Sequence, residues 1–124
     1  MNKYKNTDKD IHVRIYQFVL LCFREVVMQI PRRTETIPII SQISASLTSM
    51  GANDREADAS GSKNDFIAKY MIVKKETNET IFWLTLVGDL HLVDQSTIQK
   101  HITEGQEIFH VISSIILSTK RHSS

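Results

Sequence analysis

The chain has 124 residues, 41% of them hydrophobic and 23% charged, with a formal net charge of +1. That length predicts one domain, 1–124, able to bury a core without disulfide or metal support. The near-zero charge excludes a global electrostatic pull toward nucleic acid or an anionic membrane.

The single cysteine, Cys22, cannot form an internal disulfide, so a reducing cytoplasm is the expected compartment. Met1-Asn2-Lys3-Tyr4-Lys5 lacks an apolar signal core. No apolar run approaches the ~18 residues that a membrane span needs. A soluble, cytoplasmic protein without membrane association is expected.

Ile11, Ile15, Val19, Cys22, Val26 and Ile30 recur at steps of three and four, the face of a first helix. Tyr16, Leu20, Phe23 and Val27 add a second stripe beside it. The combined apolar face is wider than one partner helix requires, so these four are candidates for a contact between protomers. Pro31 ends this helix.

A second helix follows, with Pro38 in its first turn. Its apolar positions are Ile40, Ile43, Leu47 and Met50, surrounded by Ser44, Ala45, Ser46, Gly51 and Ala52. Small side chains let a neighbouring backbone approach, and close packing is the reading for Gly51. Ser60-Gly61-Ser62 is a break, and Ser62 with Asp65 reads as a capping box.

The third helix carries Phe66, Tyr70, Val73, Thr77, Thr80, Leu84 and Val87, a seam of alternating four and three steps with threonines at its middle. Trp83 and Leu84 are expected to be mostly buried. Asp94-Gln95-Ser96-Thr97 supplies caps for a fourth helix, whose C-terminal half crowds Ile108, Phe109, Val111, Ile112, Ile115, Ile116 and Leu117. The turns fall near 31–36, 60–63 and 90–95. Short connections make neighbours antiparallel, so the expected class is all-α, an up-down-up-down four-helix bundle with no sheet.

Candidate chemistry is sparse. Asn53, Arg55, Glu56, Lys74, Lys75, Glu76 and Glu79 interrupt the helices with charge. They read as interhelical hydrogen bonds and ion pairs that set register, or as a channel lining or docking surface. Glu76 and Glu79 lie one turn apart, but nothing near them reads as a nucleophile or an oxyanion site, so no catalytic residue is assigned and no enzyme is expected. His12, His91, His101, His110 and His122 show no metal-binding helical spacing and read as surface or interface residues; no metal and no cofactor are expected. Cys22 reads as a small core residue. An up-down bundle gathers Lys3, Lys5, Lys63, Lys120 and Arg121 at one end, the candidate contacts for a nucleic acid, with acidic residues nearby that offset much of the charge.

The central run resembles the family of S23-type four-helix-bundle proteins, first recognised as reading frames inside intervening sequences of bacterial 23S ribosomal RNA genes. The resemblance is carried by Gln42-Ile43, Ser46, Thr48-Ser49-Met50-Gly51-Ala52-Asn53, Glu56-Ala57, Ser62-Lys63, Asp65-Phe66-Ile67, Lys75-Glu76, Glu79-Thr80 and Phe82-Trp83-Leu84. Ile30-Pro31, Glu104 and Glu107 also fit. Asn53, Glu56, Lys75, Glu76 and Glu79 form the polar part of the motif. The family is similar in fold to the accessory variability proteins of diversity-generating retroelements, which are pentameric barrels that bind nucleic acid and a reverse transcriptase. The resemblance therefore implies a homo-oligomer, with a pentamer expected, and RNA, DNA or a nucleic-acid enzyme as partner. Ala45 and Asn78 stand where the family carries arginine, which weakens a phosphate grip. A non-enzymatic, self-assembling accessory or binding module is the leading expectation. A purely structural oligomer or protein-docking ring is the alternative.

Overall fold

A computed structural model describes the backbone of residues 3–122 and the side chains from Ile11 to His122. Within them lie four helices: α1 (Lys3–Glu25), α2 (Ile37–Asp58), α3 (Lys63–Asp89) and α4 (Gln95–Arg121). No strand occurs among the described residues, as the sequence predicts. Contacts across the seams fix an antiparallel course. His12 meets Asp54, Glu56 meets Lys69, the Lys63 ammonium donates to the His122 carbonyl, and Glu25 meets His101. The α2–α3 and α3–α4 seams are the most extensive, and α1 lies across α2 and α4.

The heptad-like seam of α3 is the centre of the core. Tyr70, Val73, Thr77, Thr80, Leu84 and Val87 are all fully buried. The two threonines are admitted there because their hydroxyls donate back to their own helix, Thr77 to the Val73 carbonyl and Thr80 to the Glu76 carbonyl. Thr80 also meets Ser46 of α2 at 2.8 Å. Every buried side-chain polar atom among the described residues is hydrogen-bonded.

The helix ends follow local chemistry. Ser62 accepts from the Asp65 amide and Asp94 from the Thr97 amide, capping α3 and α4 as their sequences predict. Pro38 occupies the first turn of α2. α1 stops at Glu25, five residues before the end its periodicity suggests. A 3-10 turn, Val27–Gln29, follows, and Ile30 is extended at φ −70°, ψ 124°. The ring of Pro31 clashes with a helical Ile30, so the extended conformation propagates backward into a tightened last turn.

Three expectations change. Gly51 is not a point of tight approach, since a Cβ there would meet Val19 at an ordinary 3.8 Å. The close approaches are at Gly88, where a Cβ would stand 2.9 Å from Ile98, and at Gly105, where it would stand 3.1 Å from Ile81. Leu84 is fully buried, whereas Trp83 is half-buried, its ring edge-on to the exposed Phe82. His101 is not at the surface: it is 3% exposed and meets Phe18 edge-on.

Candidate functional site

The most elaborate polar construction joins α1, α2 and α3. Asp54 lies on the core face of α2, in register with Ile43, Leu47, Met50 and Ala57, and is 5% exposed. Its Oδ1 accepts from the Tyr70 hydroxyl at 2.7 Å and contacts His12 Nδ1 at 2.8 Å. His12 Nε2 reaches Asp58, one turn further along α2, at 3.2 Å. Burying a carboxylate is tolerable only with such partners. Beside this cluster an open groove of about 500 Å³ runs between α1 and α2, lined by His12, Val13, Tyr16, Gly51, Asp54 and Arg55.

Two further pairings fasten α1 to α4. Arg14 grips Glu104 bidentately, at 2.7 and 2.8 Å, and reaches Glu107 at 3.1 Å. Glu104 first, and Glu107 with it, holds the guanidinium firmly protonated. Glu25 contacts Lys100 and His101, each at 2.8 Å. The Lys100 ammonium, then His101, holds the Glu25 carboxyl below its usual range. Burial pushes the Cys22 thiol far up, which makes it an inert core residue.

The family-motif polar residues do not converge on one site. Asn53 donates to its own helix at Ser49, and Glu56 pairs with Lys69 of α3 at 2.9 Å. Lys75 and Glu79 are exposed, while Glu76 is half-buried on α3. Burial, then the hydrogen bond to Glu79, raises the Glu76 carboxyl, and Ser49 of α2 opposes that rise. Arg55 turns instead to the α1 groove, and Lys74 lies over the Phe109 ring at 5.4 Å. Register-setting contacts between helices account for Glu56 and for the Ser49–Glu76 bond.

Of the basic candidates, Lys63 contacts the carbonyl of His122, which brings the start of α3 beside Lys120 and Arg121 in the exposed last turn of α4. The side chains of Lys3 and Lys5 lie outside the described residues. Of the assembly candidates, Tyr16 is 55% exposed, Leu20 and Phe23 are half-buried, and Val27 lies in the chain's own core. Val13, 60% exposed and one turn from Tyr16, extends the outward apolar surface.

Asp54, His12 and Val13 were missed as site residues. Asp54 and His101 nevertheless carried a signal, because each falls on a core register: Asp54 between Met50 and Ala57, His101 between Ile98 and Ile108. A charged or titratable residue at a core position must have a buried partner. Among the described residues no group of three or more His, Cys, Asp or Glu side chains is arranged to hold a metal ion, and no helix is long and apolar enough to cross a membrane.

The fold and its polar seams define an all-α four-helix-bundle protein whose elaborate polar groups join helices. The family model for the 23S rRNA-intervening sequence protein matches residues 7–114, and the chain belongs to that family. It is similar, at 30% identity and a TM-score of 0.72, to the 1.70 Å crystal structure of a protein with unknown function from the S23 ribosomal protein family of Bacteroides thetaiotaomicron VPI-5482. That similarity covers 89% of this chain and 97% of the other. No curated protein matches the chain.

Proposed function

We propose that the chain is a non-enzymatic, self-assembling helical module that serves as an accessory or binding partner for nucleic acid or a nucleic-acid-processing enzyme. The observation that carries the assembly is the outward apolar surface of α1, where Val13 and Tyr16 stand exposed beside the α1–α2 groove. Large apolar side chains adjoining a groove favour burial against another surface. Leu20 and Phe23 continue the same helix, and a closed pentamer is the proposed assembly. Repetition of Lys63, Lys120 and Arg121 around a ring would build a charge density that one protomer, at net +1, does not have. The free, buried Cys22 suits a reducing cytoplasm.

A second reading, a protein-docking ring without nucleic acid, is favoured by Ala45 and Asn78, which put no positive charge at two positions of the long helices. Retention of labelled RNA at low and high salt separates the two. Salt-sensitive retention supports the first reading, because phosphate contacts release counterions. No retention at low salt contradicts the nucleic-acid role and leaves the docking ring.

A further inference from the structure

The outer face of α3 carries an apolar patch that the bundle does not cover. By helical periodicity Phe82 stands opposite the core seam of Thr77, Thr80 and Leu84, and it is 58% exposed. Trp83 meets it edge-on, Leu86 is half-buried one turn further on, and Leu90 is 50% exposed at the helix end. Among the described residues α1 packs on α2 and α4, so α3 is its diagonal neighbour and the outer faces of the two helices lie on opposite sides of the bundle. Phe18 of α1 and Ile81 of α3 both border Gly105, which sets the two helices in register. Tyr16 and Leu20 on one side are thus matched in height by Phe82 and its neighbours on the other.

We propose that this α3 patch is the docking surface for the α1 face of a second copy of the chain. The inference rests on the assembly reading above and supplies the surface that reading lacks. A closed ring of more than two copies uses a head-to-tail contact, in which each copy presents two different surfaces. Pairing α1 with α1 would leave Phe82 and Leu90 in water, whereas α1 against α3 covers both patches. The charges fit this pairing. Arg24 is the one exposed charge among the described side chains of α1, while Glu79 and Asp89 outnumber Lys75 among the exposed charges of α3 between Ile72 and Leu90. α1 and α3 run in the same direction, so rotation about an axis along the bundle brings Arg24 of one copy level with Asp89 of the next. The curvature fits as well. Tyr16 borders the α1–α2 groove, and Trp83 lies two turns along α3 from Glu76, which bonds Ser49 of α2. Both patches lean toward α2, so successive copies turn the same way and the chain of contacts can close.

Mixing two variants tests it. Tyr16→Glu spoils the α1 face and keeps the α3 patch, and Phe82→Glu does the reverse. Both side chains are more than half exposed, so both variants keep their fold. Each alone should scatter light as one protomer. Mixed in equal amounts, they should form a species of two protomers and no larger one, since only one contact can be made. That contact lacks the reinforcement of ring closure, so it is read at the upper end of a concentration series. Leu90→Glu is a second α3 variant with the same expectation, alone and mixed with Tyr16→Glu. A single protomer mass for the unaltered protein overturns the assembly reading and this inference together. A multimeric Phe82→Glu, or a mixture that stays at one protomer mass, overturns the α3 contact and leaves assembly through α1 standing.

Discussion

At the scale of single residues, glycine positions separate packing from propensity. Gly88 is buried where α3 meets the start of α4, and a Cβ there would stand 2.9 Å from the stiff, β-branched Ile98. Gly88→Ala should therefore cost about 1–3 kcal/mol. Gly51 has van der Waals room, so Gly51→Ala should stabilise by up to about 1 kcal/mol through helix propensity alone. Chemical unfolding of the two variants checks both, and equal signs would refute the packing account. Composition alone does not distinguish these glycines, since both sit within helical periodicity. What differs is the partner opposite each one, a long-range property that local spacing does not record. Asp54 and His101 were misread from the sequence, although each left a local signal by breaking an apolar register at a core position.

At the scale of elements, the seam of α3 was readable almost residue for residue, because burial on both flanks imposes a strict alternation of three and four steps. The caps Ser62 and Asp94 were equally local signals. The end of α1 was not. Its apolar periodicity runs on to Ile30, but the backbone constraint set by Pro31 acts through a 3-10 turn that keeps Val26, Val27 and Ile30 in the core without helical geometry. The end of α3 shows a similar constraint. His91 has φ 55°, and its amide bonds the Gly88 carbonyl while the Leu92 amide bonds that of Val87, closing the helix with a left-handed residue. His91→Gly should raise stability by about 0.5–1 kcal/mol, read by thermal unfolding, because glycine occupies that conformation without strain.

The attachment of α1 to α4 carries its own pH dependence. The Glu25 carboxyl is depressed by Lys100 and His101, so the fold favours its charged form. Its contribution is present above the usual glutamate value of about 4.3 and is lost as the pH falls through the lower folded value. The stability difference between the unaltered protein and Glu25→Gln should shrink from about pH 6 to about pH 3 in denaturant titrations. A constant difference would show that the ion pair contributes nothing.

At the scale of the molecule, the bundle and its antiparallel course were legible, because four amphipathic stretches joined by short turns admit few other arrangements; the family was legible only through its resemblance to the motif run from Thr48 to Leu84. The α1 face was only partly legible. Tyr16 points outward, but Val27 turns into the core once the helix has tightened after Glu25, and Phe18, absent from both expected stripes, is 2% exposed in the core. The outward apolar surface is therefore centred on Val13 and Tyr16 rather than on the full stripe from Tyr16 to Val27. Light scattering of the unaltered protein and of Tyr16→Glu at micromolar concentration reads assembly through that face. A multiple of the protomer mass is expected for the former, five copies in the proposed ring, and a shift toward the single protomer for the latter, since a buried charge without a partner is strongly disfavoured. One protomer mass for the unaltered protein, or an unchanged multimer in Tyr16→Glu, would contradict it.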